Sequence, residues 1–181
     1  MALNNDNKIN NRIKIVFLGS VKTGKTTFLM KIKDEKVDKD LKYTSTIGGA
    51  YASYQLIIEH KNYGLDFWDV SGQERFYSLI KFYIEGVDIL LFFYNSNDIS
   101  SFEAVKRMVE TCKENLEKNA KFVLIRSRYD ECLKNNNDNT NIVDEEALEY
   151  ADLNNLYFMH LSNFDKNETA NEFLKKVLSI L

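Results

Sequence analysis

Gly19-Ser20-Val21-Lys22-Thr23-Gly24-Lys25-Thr26 decides how this chain is read. It matches G-x-x-x-x-G-K-[ST], a loop whose backbone N–H groups point inward at phosphate oxygens and whose following helix N-terminus adds its dipole. In that arrangement Lys25 reaches the β and γ phosphates and the Thr26 hydroxyl ligates Mg2+. From average composition, a chance match in a chain of 181 residues has a probability of roughly half a percent. The flanks are those the motif requires: residues 13–18 are a β-branched apolar run ended by Gly19, and residues 26–33 read as a helix start.

The strand, loop, helix order recurs outward from that point. Residues 51–58 and 65–70 are strand candidates joined by His60-Lys61-Asn62-Tyr63-Gly64, whose length and Asn/Gly content predict a hairpin turn between antiparallel strands. Residues 89–94 and 122–125 are continuous apolar runs, as expected of parallel strands covered on both faces. Ser100 with Glu103 predicts a capping box ahead of a helix over residues 101–119, with Phe102, Val105, Met108, Val109 and Cys112 on one face. Asp144 is expected to head a further helix, with Glu145 and Glu146 in its first turn. Residues 157–161 predict a last short strand, and residues 168–181 a last helix with Phe173, Leu174, Val177 and Leu178 inward. This alternation implies an α/β fold: a three-layer α/β/α domain on a six-stranded, mostly parallel sheet with one antiparallel edge pair. Loops over residues 37–46 and 134–141 interrupt the pattern, and the second, Asn-rich one reads as a solvated insertion.

Composition narrows the function. A chain of 181 residues with 44% apolar and 28% charged residues suits one domain with a sizeable core, here residues 12–181 behind a polar, Asn-rich, flexible tail over residues 1–11. A net charge of −3 without a Lys/Arg cluster excludes nucleic acid as the first expectation. The longest apolar run, residues 89–94, is far short of the roughly 20 residues a membrane span needs. No Gly follows Met1 and no cysteine lies near Leu181, so no direct lipid anchor is expected. Cys112 and Cys132 have no companions at metal-ligand spacing and read as reduced packing thiols. His60 and His160 read as turn and strand-end residues.

A second motif completes the first. Leu65-Asp66-Phe67-Trp68-Asp69-Val70-Ser71-Gly72-Gln73-Glu74-Arg75-Phe76 sets an acid at the carboxyl end of an apolar strand, where Asp69 can hold the Mg2+ shell and the Gly72 N–H can meet the γ-phosphate. The carboxyl ends of parallel strands gather on one edge, which would bring the two motifs together. With these stretches, Ser45-Thr46-Ile47-Gly48, and Ser101-Phe102 at a helix start, the sequence resembles the Ras superfamily of small GTPases, the Rab branch above all. The resemblance implies the P-loop NTPase G-domain fold, with GTP or GDP and Mg2+ bound. It implies a site of Gly19, Val21, Lys22, Thr23, Gly24, Lys25, Thr26, Thr27, Thr46 and Gly72, with Thr26, Thr46 and Asp69 about the metal. Thr46 would be the switch threonine, Gln73 would orient the attacking water, and Lys25 would assist. It further implies partners at the switch loops: effectors, exchange factors and GTPase-activating proteins. Phe76-Tyr77 and Phe82-Tyr83 have both a core reading and an effector-surface reading.

The base-recognition segments depart from the family's pattern. Ser127-Arg128-Tyr129-Asp130 stands for N-K-x-D and Ser162-Asn163-Phe164 for S-A-K. Asp130 can accept both guanine N–H groups, and Arg128 can lay its stem and planar head on the ring. Ser127 is too short to tie the base loop to the phosphate loop, the Asn163 N–H can reach the guanine carbonyl, and Phe164 lacks the Lys function. Neither Val37 nor Lys39 supplies an aromatic at the start of the first switch. The expectation is a monomeric GTP-binding switch with slow hydrolysis, acting in vesicle traffic from the cytoplasm and recruited to endomembranes by a partner. The alternative is a pseudo-GTPase scaffold. Val21, third in the phosphate loop, is expected to crowd the γ-phosphate.

Overall fold

The structure is a computed structural model that describes residues 11–33, 46–116, 119–127, 140–161 and 169–181. Six strands form one sheet: β1 (Asn11–Leu18), β2 (Gly49–Ile58), β3 (Lys61–Val70), β4 (Ile89–Asn95), β5 (Lys121–Ser127) and β6 (Tyr157–Leu161). Their order is β2-β3-β1-β4-β5-β6, antiparallel only between β2 and β3. The helices among the described residues are α1 (Lys25–Ile32), α2 (Ile80–Tyr83), α3 (Ile99–Asn115), α4 (Thr140–Asn154) and α5 (Ala170–Leu178), with a 3-10 turn over Glu74–Leu79. The expected fold is therefore the one observed.

Each face of the sheet carries its own core. Ile13, Ile15 and Phe17 of β1 point to one side, with Phe28, Leu29 and Ile32 of α1 and Phe173, Leu174 and Val177 of α5. Val16 and Leu18 point to the other, with Phe102, Val105, Met108 and Val109 of α3 and Ala147 and Ala151 of α4. Alternation along β1 thus feeds two layers at once. Phe17 lies at the centre of the first, its ring 5.9 Å from Phe28, 5.6 Å from Phe67 and 5.3 Å from Phe93. Lys25, Phe28, Leu29 and Ile32 form a one-sided stripe at helical spacing that docks α1 and fixes where the phosphate loop sits.

Three local expectations are corrected. The β2–β3 turn is not the five-residue segment starting at His60: Ile58 pairs with Lys61, so the turn is Glu59-His60 alone, both left-handed at φ 48° and 65°. Lys61 to Gly64 belong to β3, because two positive-φ residues match the strand twist and let pairing continue to the end. The cap of α3 is Asp98, whose side chain accepts from the Ser100 N–H, rather than a Ser100–Glu103 box. Helix α4 starts at Thr140, so Asp144 lies inside it. A true capping box stands before α5, where the Thr169 hydroxyl accepts from the Glu172 N–H and the Glu172 carboxylate accepts from the Thr169 N–H.

Candidate functional site

The phosphate loop leaves β1 and turns into α1 under tight backbone constraint. Gly19 has φ 142°, and a Cβ added there would lie 2.2 Å from the Phe93 carbonyl oxygen of β4. Only glycine lets the loop cross the sheet edge this closely. Thr23 is fully buried and its hydroxyl donates to the Ser20 carbonyl at 2.8 Å, closing the loop on itself. Lys25 folds back beneath it, donating to the Gly19 and Ser20 carbonyls at 2.7 and 2.8 Å. Burial pulls the Lys25 ammonium down to about 8, with the charge of Asp69 opposing that fall. A cation so placed, with two carbonyls as its neutral partners, suits a polyanion at the loop.

Three oxygen groups converge beside it. The Thr26 hydroxyl donates to Asp69 Oδ2 at 2.5 Å and lies 3.1 Å from the Thr46 hydroxyl, which itself stands 3.5 Å from Asp69 Oδ2. Asp69 is fully buried, and its Oδ1 has no hydrogen-bond partner. Burial raises the Asp69 carboxyl above its usual range, while the Thr26 hydrogen bond and Lys25 oppose the rise. An orphaned buried carboxylate oxygen beside two hydroxyls fits Mg2+, a hard cation that keeps several waters and takes one or two carboxylates together with phosphate oxygens. No group of three or more His, Cys, Asp or Glu side chains that could hold a metal ion exists among the described residues.

Gly72 closes the other side. A Cβ there would lie 2.4 Å from the Ser20 carbonyl carbon, 2.5 Å from the Val21 nitrogen and 2.7 Å from the Gly19 oxygen. The second motif thus packs backbone to backbone on the phosphate loop. Gln73 follows as the half-buried residue ahead of the 3-10 turn. Val21 is 41% exposed and does not pack beneath the loop. Lys22, also exposed, is left-handed at φ 64°, and Thr27 is half-buried on the first turn of α1.

The structure therefore gathers Gly19 to Thr26, Thr46, Asp69 and Gly72 at one edge. Ser127 ends β5 at that same edge, level with Leu161 at the end of β6. Its hydroxyl is committed within the sheet, donating to the Tyr94 carbonyl at 2.7 Å, while its own carbonyl accepts from the Ser96 hydroxyl at 3.0 Å. Arg128, Asp130, Ser162, Asn163 and Phe164 lie outside the described residues, as do Val37, Lys39 and Cys132.

Sequence reasoning missed an aromatic row next to this edge. Tyr51 of β2, Trp68 of β3 and Tyr83 of α2 pack as tilted rings at centroid separations of 5.1 and 5.9 Å. The Tyr51 hydroxyl donates to Asp66 Oδ1 at 2.7 Å, and Arg12 grips Asp66 through Nε at 2.8 Å and Nη2 at 2.7 Å. Period-two alternation places Trp68 and Asp66 on one face, but register alone brings Tyr51 opposite Trp68. Of the two aromatic pairs, Phe82 is exposed and fits the surface reading, whereas Tyr77 and Tyr83 are half-buried against the core and fit the core reading. A cavity of about 490 Å3 lies at the opposite end of the sheet, beside Lys113, Phe122, Asn154 and Tyr157, and contains no residue of the phosphate loop.

Comparison with known proteins agrees with this geometry. Residues 14–181 match the sequence profile described as Ras family. The chain is similar to the Ras-related protein Rab5A of Oryza sativa subsp. japonica, 31% identical over 98% of this chain and 85% of that one. It is similar to the Ras-related protein RABF2a of Arabidopsis thaliana, 31% identical over 90% and 76% of the two chains. It is also similar to the Ras-related protein Rab11A of Lotus japonicus, 28% identical over 92% and 70%.

Proposed function

This chain belongs to the Ras family, near its Rab branch, and from that premise we propose that it is a GTP-binding switch that hydrolyses GTP slowly to GDP in intracellular vesicle traffic. The observation that carries the reading is the meeting of Lys25, Thr26, Thr46 and Asp69 with Gly72 against the phosphate loop. Lys25 and the loop N–H groups bind the phosphates, and Thr26, Thr46 and Asp69 would hold Mg2+. Bound there, the ion supplies positive charge against the phosphate oxygens. Thr46 and the Gly72 N–H report the γ-phosphate, and its loss frees both loops. Gln73 orients the attacking water. Asp130 selects guanine, aided by Arg128 and the Asn163 N–H, and selectivity over adenine is retained but weakened by Ser127 and Phe164.

Val21 accounts for the slow turnover. Its two γ-methyl groups would crowd the space that the water, the Gln73 amide and a partner's arginine must share. Single-turnover GTP hydrolysis tests this point: Val21→Gly should react faster than wild type, and equal rates would remove Val21 from the account. The ordered loops and the Tyr51–Trp68–Tyr83 row offer a surface to effectors, exchange factors and GTPase-activating proteins. The protein works as a monomer in the cytoplasm and reaches endomembranes through a partner; no helix among the described residues is long and apolar enough to cross a membrane.

One observation favours a second reading. The Ser127 hydroxyl is spent on Tyr94 within the sheet, so it does not brace the base loop. A scaffold that holds nucleotide without cycling would tolerate that loss.

A further inference from the structure

We propose that Ser71 is a positioning residue for Gln73 and that it couples the orientation of Gln73 to the loop carrying Thr46. The inference rests on the reading of Gln73 as the residue that orients the attacking water. Ser71 stands between Asp69 and Gly72 and is 4% exposed. Its N–H donates to the Gly48 carbonyl at 2.9 Å, two residues beyond Thr46. Its hydroxyl accepts from the Gln73 N–H at 3.4 Å. One small side chain and its own amide thus join the two loops that the γ-phosphate is to hold.

The local chemistry explains why a hydroxyl is useful here. Gln73 precedes the 3-10 turn with an extended backbone at φ −81° and ψ 130°, and its side chain makes no cap hydrogen bond. Its N–H lies ahead of the first turn, where a side-chain oxygen can supply the acceptor. Gly72, between the two residues, is pressed on the phosphate loop and cannot move toward it. The peptide carrying Gln73 is therefore held from one side by the Ser20–Val21 backbone and from the other by the Ser71 hydroxyl. Gly48, Ser71 and Gln73 form a short chain of contacts from the Thr46 loop to the Gln73 backbone N–H, which sets where the side chain that orients water starts.

Ser71→Ala removes the acceptor and leaves the Ser71 N–H to Gly48 bond in place. The full chain, loaded with Mg2+ and a non-hydrolysable GTP analogue, is compared with wild type by amide hydrogen exchange. Protection of the Gln73 amide should fall about two- to tenfold, the range of one neutral hydrogen bond, while the amide of residue 71 keeps its protection. Single-turnover hydrolysis should fall by a similar factor with GTP affinity within about twofold of wild type. Equal Gln73 protection in the two proteins would overturn the proposal, as would loss of protection at residues 71 and 73 together. If neither protein hydrolyses GTP, the exchange result still decides the role of Ser71, and only the reading of Gln73 as a catalytic residue fails.

Discussion

The Thr26 hydroxyl donates to Asp69 Oδ2 at 2.5 Å while Oδ1, the other oxygen of the same buried carboxylate, has no partner. One carboxylate thus presents one oxygen that is satisfied within the protein and one that is not. A buried acceptor without a donor costs on the order of 1 to 3 kcal/mol, and a cation at that oxygen would relieve it.

Asp69→Asn should therefore weaken GDP and GTP binding by about ten- to a hundredfold when Mg2+ is present, from the loss of a charge-assisted contact of roughly 1.5 to 3 kcal/mol. In excess chelator the variant and wild type should bind alike. Nucleotide titrations with and without chelator check this, and equal affinities in Mg2+ would remove Asp69 from the metal site.

Gly72→Ala should separate the two nucleotide states. The added methyl would meet three backbone atoms of the phosphate loop at 2.4 to 2.7 Å, and none of them can swing away. The second loop must then back off, so GTP affinity should fall while GDP affinity stays within about threefold, since the γ-phosphate contact alone is lost. Competition binding reads the ratio, and an unchanged ratio contradicts the packing argument.

Ser127→Ala tests where that hydroxyl acts. It leaves the buried Tyr94 carbonyl without its 2.7 Å donor, which should lower the unfolding free energy by about 1 kcal/mol. Preference for guanine over adenine nucleotide should not change. A variant as stable as wild type but less selective would place the side chain in the base site after all.

Much of this was legible in the sequence because function and fold share the same residues. Gly19, Gly24, Lys25 and Thr26 fix a strand, loop and helix as well as the proposed phosphate site, and the buried stripe of α3 at Phe102, Val105, Met108, Val109 and Cys112 follows from its spacing. What escaped were features decided by register or by competing local bonds. Glu59-His60 carries no glycine or asparagine, so nothing in its composition marks a turn with two left-handed residues. Asp98 outcompeted Ser100 for the cap of α3 because a carboxylate two residues before Ser100 could accept from both its N–H and its hydroxyl. Thr169 and Glu172 carried a capping signature that the longer apolar pattern of residues 168–181 obscured. The Tyr51–Trp68 contact is a cross-strand pair, and cross-strand neighbours are set by the turn, which is two residues long where composition predicts five.

Acid titration should expose the Arg12–Asp66 pair. The Arg12 hydrogen bonds hold the Asp66 carboxyl down to about 2, with those of Tyr51 and Ser53 assisting against desolvation. A carboxyl lowered in the folded state binds fewer protons than in the unfolded one, so its stabilisation is complete above its ordinary value near 3.8 and disappears as pH falls from there through about 2. Because Arg12 is largely exposed, solvent screens the pair and the effect is small. Unfolding free energies measured between pH 2 and 4 should rise more steeply with pH in wild type than in Asp66→Asn, and parallel curves would show that the pair is inert.

The reading of the edge as a guanine-nucleotide site is tested most directly by denaturing the purified full-length protein and identifying what it releases. A guanine nucleotide, at about one per chain as expected for a single phosphate loop, is the predicted result. Release of an adenine nucleotide, or failure of added GDP to bind better than ADP to the emptied protein, would contradict it.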